Sequence, residues 1–256
     1  EMAEDKSVPL FERIRFLTIF ASNLDEFYMV RVASLLSKLE SNPNAINSAG
    51  FTPGELLEEI SVRARELTLR HARLFKDQIV AELAKEKIEI IHWDGLNDEE
   101  RSHVSRIFSE RIFPVLTPLA VDPSHPFPYI SGLSLNLAVM VKNPKTAEEY
   151  FARVKVPPIL SRFIPVSPTP HSTRFLPLEE LIAIHLQELF PGMLIEDHYT
   201  FRITRNQDIE LEDEDTENLL TSIEQELARR RFGPPVRLEI ESGVGEKLRN
   251  KLCEQL

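Results

Sequence analysis

Cysteine occurs once in 256 residues, at Cys253. That excludes an intramolecular disulfide and any zinc site built from several thiolates. Near the end of the last apparent helix, Cys253 reads as a small apolar residue, and so sparse a use fits the cytoplasm. Long apolar runs are missing too: none approaches the roughly eighteen residues of a membrane-spanning helix. The opening Glu1-Met-Ala-Glu-Asp is acidic, unlike a signal peptide. Neither phosphate-cradling loop is present, Gly-x-x-x-x-Gly-Lys-Ser/Thr or Gly-x-Gly-x-x-Gly. Gly243-Val-Gly245, between a strand and a helix, reads as a turn. Positive charge is short, with 30 Lys and Arg against 41 Asp and Glu and a net charge of −11. That balance argues against nucleic acid as a partner, because neutralising phosphates takes clustered cations. What remains is the composition of an ordinary globular protein, 42% hydrophobic and 28% charged, long enough for one large domain or two smaller ones.

The chain is organised around Phe16-Leu-Thr-Ile-Phe-Ala-Ser-Asn-Leu-Asp-Glu-Phe-Tyr28, which runs on to Leu36 without glycine or proline. Leu10, Ile14, Leu17, Ala21, Leu24 and Tyr28 recur at alternating steps of four and three, the helical period. Phe16, Phe20, Phe27 and Val30 form a second apolar row, and Asn23 sits inside it. A buried amide is costly without partners, so Asn23 has two readings. It could cap a helix, since Asn23 and Glu26 stand at capping-box spacing, as do Ser22 and Asp25. Alternatively, a helix face presents it to a ligand such as a purine edge. Spacing leaves both open.

Ser7 is a plausible cap for this first helix, with Pro9 in its first turn. Ser41–Gly50 is a loop of turn formers. Thr52, Pro53 and Glu55 open the next helix, whose stripe of Leu57, Ile60, Ala64, Leu67, His71, Leu74, Phe75, Ile79 and Leu83 runs to Lys87. About thirty residues at 1.5 Å each make a helix roughly 50 Å long, which predicts an elongated antiparallel hairpin. His71 reads as a packed interface residue. At Ile88-Glu-Ile-Ile-His-Trp93 the pattern turns β-branched and predicts a short strand. The domain boundary is placed there, giving a wholly helical unit over 1–87 and a mixed α/β unit over 88–256.

Asn97 caps the next helix, which ends before Pro114. Five prolines between Pro114 and Pro128 make Leu116–Tyr129 a stiff, extended connection. His125 in His125-Pro-Phe-Pro-Tyr has no second metal ligand at useful spacing, and His92 and His103 form no pattern with it. Strands are predicted at Ser134–Val141, Tyr150–Val156, Arg162–Val166, Arg174–Leu176, Tyr199–Arg205 and Val236–Glu241. Helices are predicted at Leu178–Phe190, Asp215–Arg231 and Val244–Leu256. Short connections favour a mixed or antiparallel sheet. The run Glu210–Glu217 and the cluster Arg229-Arg-Arg231 read as solvated helix ends, with a cation or a phosphate chain as their functional alternatives. No catalytic residue and no metal ligand can be named from spacing.

Several stretches together resemble bacterial polyphosphate kinases of the long-chain polyphosphate-synthesising type. They are Pro9-Leu-Phe-Glu-Arg-Ile-Arg-Phe-Leu, Ser22-Asn-Leu-Asp-Glu-Phe and Val30-Arg-Val-Ala-Ser-Leu. His125-Pro-Phe-Pro-Tyr-Ile-Ser-Gly-Leu-Ser-Leu-Asn-Leu-Ala-Val139, Pro177-Leu-Glu-Glu-Leu-Ile, Phe201-Arg-Ile-Thr-Arg-Asn and Arg229-Arg-Arg-Phe-Gly follow in the family's order. The resemblance implies the N-terminal helical domain, its first helix represented only by its end, and the head domain of such a kinase. The fold class is then α+β, long antiparallel helices followed by a mixed α/β head. The resemblance further implies an ATP:polyphosphate phosphotransferase whose phosphohistidine, phosphate-handling arginines and most of the Mg²⁺ site belong to later domains absent here. By the same resemblance Asn23 lines the nucleotide pocket, and ATP, ADP and inorganic polyphosphate are the partners. A homo-oligomer is expected, cytoplasmic or held peripherally at the inner face of the membrane, with no transmembrane segment and no nucleic acid. The 256 residues alone should be inactive. The rival from another class is a non-catalytic dimerisation or assembly module.

Overall fold

The computed structural model describes residues 1–121, 127–167, 173–207 and 233–256. The chain divides into two compact units, one of residues 1–85 with 204–237 and the other of 86–203 with 238–256. Helices dominate the first and sheets the second, the α+β class expected.

In the first unit, α1 (Leu10–Phe27) passes through a single π turn (Tyr28–Val32) into α2 (Ala33–Ser41). A loop leads to α3 (Pro53–Leu74), a second π turn (Phe75–Ile79) and α4 (Val80–Lys85). Contacts run in opposite directions along the two rods. Arg13 meets Glu82, Leu17 meets His71, and Leu39 lies beside Gly54. The rods are therefore antiparallel, as the apolar stripes require. Thr52 caps α3 as predicted: its hydroxyl accepts from the Glu55 N–H while the Glu55 carboxylate accepts from the Thr52 N–H. Ser7 does not cap α1. Pro9 occupies that position with no side-chain bond, and Ser7 turns back to hydrogen-bond Asp5.

The second unit opens with β1 (Glu89–Ile90), a 3₁₀ turn (Trp93–Gly95) and α5 (Asp98–Ile107), capped by the predicted Asn97 in a box with Glu100. A third π turn (Phe108–Ile112) and a 3₁₀ turn (Phe113–Val115) follow. Then come β2 (Pro118–Val121), β3 (Leu135–Lys142), β4 (Glu149–Lys155), β5 (Phe163–Pro165) and β6 (Arg174–Pro177). The chain continues through α6 (Leu178–Ile184), α7 (Leu186–Leu189), β7 (Leu194–Arg205), β8 (Pro235–Ile240) and α8 (Glu246–Gln255). One sheet has the order β2-β4-β3-β7-β8, with β2, β4, β3 and β7 antiparallel to their neighbours. The other has the order β1-β6-β5, parallel then antiparallel.

The larger sheet is covered on both faces within this unit. Leu137, Val139 and Val141 pack with Phe108, Ile112, Leu181 and Ile182 on one side. Ala138, Met140, Phe151 and Phe201 pack with Leu248 and Leu252 of α8 on the other. Strand β3 is consequently buried from Asn136 to Val141, which explains its near-continuous apolar sequence.

Four local expectations differ from the fold. The predicted strand at Ile88–Trp93 is confined to β1, because Trp93 turns into the 3₁₀ segment. The Leu116–Tyr129 connection contains β2, an edge strand where Pro118 is tolerated. The Leu178–Phe190 helix breaks at His185, between α6 and α7. Cys253 is exposed on α8 rather than packed. His125, the acidic run 210–217, Arg229–Arg231 and the predicted helix 215–231 lie outside the described residues. Among the described residues, no helix is long and apolar enough to cross a membrane.

Because Thr52 closes a complete capping box and Ser7 caps nothing, the two hydroxyls should behave differently. Thr52→Ala should cost about 1 kcal/mol in urea unfolding, and Ser7→Ala no more than about 0.5 kcal/mol, the usual range for an exposed substitution.

Candidate functional site

Asn23 lies near the end of α1, where the helix runs on through the π turn into α2 without a break, so it caps no helix. Asn is a poor helix-interior residue because its side chain competes for backbone hydrogen bonds. Here its carboxamide is exposed and makes no hydrogen bond within the described chain. It looks into a groove between α1 and α3. One half, about 320 Å³, is lined by Phe16, Leu17, Phe20 and Asn23 opposite Leu67, Arg70, His71 and Leu74. The other half, about 300 Å³, is lined by Phe20, Asn23, Leu24 and Phe27 opposite Ile60, Arg63, Ala64 and Leu67. Phe20, Asn23 and Leu67 belong to both, so the amide stands at the middle of a largely apolar trough.

His71 does not compete for a ligand. Its Nε2–H donates to the Leu17 carbonyl at 3.1 Å, and its ring packs against Phe20 with centroids 5.2 Å apart. This is the packed role its place in the stripe predicted. Arg70 is held by Glu4 in a two-pronged ion pair at one end of the groove. That contact pulls the Glu4 carboxyl down from 4.5 to about 2.

Two features of this unit were not foreseen. Asp25, read only as a capping candidate, is buried and faces Arg237 at 3.8 Å. The Arg237 guanidinium also lies over the Tyr28 ring, 4.7 Å from its centre. The π turn that follows offers its Met29 carbonyl to the Gln207 N–H at 3.0 Å. A π turn leaves one carbonyl without its usual helical partner, and here the returning chain takes it. Nothing in the sequence marks that turn, since it contains neither glycine nor proline.

In the other unit, His185 is a core residue. Its Nδ1 meets the Leu181 carbonyl at 2.9 Å, and its ring stacks on Phe108 with centroids 4.2 Å apart. His92 pairs with Glu180 at 2.8 Å. Among the described residues, no three His, Cys, Asp or Glu side chains converge on a point that could hold a metal ion.

Two family descriptions match the chain. A family described as the polyphosphate kinase N-terminal domain matches residues 1–91, and one described as the polyphosphate kinase middle domain matches residues 99–256. The polyphosphate kinase of Streptomyces coelicolor is 54% identical over 256 residues, which is 100% of this chain and 34% of that protein. That of Mycolicibacterium gilvum is 51% identical over 258 residues, covering 100% of this chain and 35% of its own. The crystal structure of the Porphyromonas gingivalis polyphosphate kinase superposes with a TM-score of 0.75 at 28% identity, over 99% of this chain and 34% of that one. The chain thus spans about a third of the length of the curated relatives it matches.

The Glu4–Arg70 pair sets a pH dependence whose sign follows from the direction of the shift. A carboxyl held below its unfolded value adds stability that is present above 4.5 and is lost as the pH falls toward about 2. Glu4 should therefore titrate at about 2 by carboxyl-carbon NMR, and Arg70→Met should raise it toward 4.5.

Proposed function

The chain belongs to the polyphosphate kinase family, and from that membership we propose that it is the N-terminal and head portion of an ATP:polyphosphate phosphotransferase. In the whole enzyme a histidine nitrogen of a later domain takes the γ-phosphoryl of ATP and ADP leaves. The phosphoryl then passes to the terminal oxygen of a polyphosphate chain. Mg²⁺, held mainly by those later domains, shares the charge of the triphosphate. The present residues supply one wall of the nucleotide pocket and contacts between subunits of a cytoplasmic, homo-oligomeric enzyme.

The observation that carries the first of these roles is the unpartnered Asn23 amide in the apolar groove between α1 and α3. A flat heterocycle suits such a trough, and an amide that both donates and accepts suits a purine edge. Aspartate there would lose the donor and add charge. In the full-length enzyme, Asn23→Ala should weaken apparent nucleotide affinity about two- to twelvefold, the equivalent of about 0.5–1.5 kcal/mol for one neutral hydrogen bond. Turnover at saturating ATP should hold. Melting temperature should hold or rise slightly, because alanine is the better helix former. An unchanged KM with a fall of several degrees in Tm would reverse the assignment.

The assembly reading is supported by a different set of residues. Phe11, Ile19, Val62 and Leu69 on α1 and α3 are exposed between 43% and 72%. Apolar surface of that extent suits a partner helix. Sedimentation of the full-length protein at micromolar concentration should show at least a dimer, and Val62→Glu with Leu69→Glu should shift it toward monomer. A monomer before substitution would remove the oligomer contacts from the proposal.

A further inference from the structure

Arginine 153 lies on β4, 7% exposed, in the unit whose covalent chemistry is least obvious. Its Nε donates to the Asn136 Oδ1 at 2.8 Å, and Asn136 is itself fully buried on the neighbouring β3. Among the described residues, the side chain hydrogen-bonded to the guanidinium is thus a neutral amide, where aspartate would have balanced the charge. Burial pushes the Arg153 pKa down, and no acid among the described residues opposes that effect. A buried cation without a counter-charge is one of the costliest arrangements a fold can keep.

The network does not end at Asn136. Its Nδ2 donates to the Ser134 carbonyl at 2.8 Å and to the Ser134 Oγ at 3.1 Å. Ser131 and Ser134 hydroxyls lie 3.1 Å apart, and the Lys155 ammonium donates to the Ser131 Oγ at 3.0 Å. Lys155 stands two residues from Arg153 on the same face of β4, half-buried and without an acidic partner among the described residues. Two cations, two hydroxyls and an amide are therefore linked with no carboxylate between them. This occurs in a chain with 41 acids and 30 bases, where acidic partners are plentiful. The serines come from a turn held by Leu133 at φ 58°, a left-handed conformation that a leucine rarely adopts. Its N–H is tied to the Ile203 carbonyl at 2.7 Å. The stretch is the Ser-Gly-Leu-Ser-Leu-Asn part of a landmark to which neither the fold nor the nucleotide groove gives a task.

We propose that Arg153, Lys155, Ser131 and Ser134 form an oxyanion site for phosphate, either free or as one unit of a phosphate chain, with Asn136 positioning the guanidinium. The Ser134 hydroxyl donates to the Ser131 carbonyl at 2.7 Å and so holds the turn, while the Ser131 hydroxyl can rotate toward an anion beside Lys155. Two cations on one strand face match the several acceptor oxygens of a phosphoryl group, and charge-assisted bonds to it would offset the burial of Arg153. The site is independent of the nucleotide groove, which it shares no residue with.

Lysine acetylation of the full-length protein, read residue by residue by mass spectrometry, tests the proposal. The probes are orthophosphate, long-chain polyphosphate and, at matched ionic strength, chloride. At an anion concentration about ten times its Kd, Lys155 should acetylate about tenfold more slowly, while the exposed Lys145 keeps its rate. Protection should disappear in Arg153→Met and shrink in Ser131→Ala, which leaves the core intact. Arg153→Met should melt no lower without anion, since it removes an uncompensated charge rather than half of a pair. Protection by orthophosphate supports a site for a single unit, and protection by polyphosphate alone supports one for a chain segment. Equal protection by chloride overturns the proposal. So does a Lys155 rate that no anion alters, the result expected if a carboxylate elsewhere in the full-length protein already pairs with Arg153.

Discussion

A single buried arginine sets the geometry of the helical unit. Arg13 on α1 is 2% exposed, with its Nε donating to the Ala3 carbonyl at 2.8 Å and its Nη1 to Glu82 on α4 at 2.7 Å. Its remaining Nη2 finds no partner among the described residues. An arginine so placed tolerates little sliding, because a shifted register would strand the charge at a cost of several kcal/mol. With Arg13 opposite Glu82, Leu17 falls opposite His71 and Asn23 falls between Phe20 and Leu67. The groove that holds the amide is therefore a consequence of where the cation is anchored. Apolar stripes alone would allow the rods to shift by a turn.

The π turns belong to the same economy of position. Among the described residues, each of the three long helical segments carries one, at Tyr28–Val32, Phe75–Ile79 and Phe108–Ile112. An inserted residue rotates the following turn relative to the preceding one, so both can bury a face against different neighbours. Ile79 and Phe108, both 0% exposed, sit in such turns. At Met29 the insertion also yields a carbonyl that receives the returning chain through Gln207, beside the Asp25–Arg237–Tyr28 cluster. Local irregularity and long-range contact have one cause there.

Much of this was legible in the residues. The cap residues Thr52 and Asn97 were predicted at the right positions, because helix capping is local chemistry. The strands of the larger sheet were found because apolar, β-branched runs between turn formers are also local. What escaped was non-local or hidden by a regular period. The step of five from Leu74 to Ile79 was present in the stripe but was read as ordinary helix. Ser7 looked like a cap, and only the path of residues 1–9 shows that it serves Asp5 instead. The cost of burying Arg13 and Arg153 could not be seen in a linear chain, where arginine signals a wet surface. For Asn23, spacing left cap and ligand both open, and family resemblance implied a ligand. The helix interior now removes the cap, leaving the amide without a structural duty.

In the proposed function the groove between α1 and α3 receives the nucleotide base. A structure of the full-length enzyme with a non-hydrolysable ATP analogue tests it most directly. The purine ring should lie between the α1 and α3 walls, with the Asn23 carboxamide about 3 Å from its edge. A base seated elsewhere, with the groove empty or filled by another part of the protein, would contradict it.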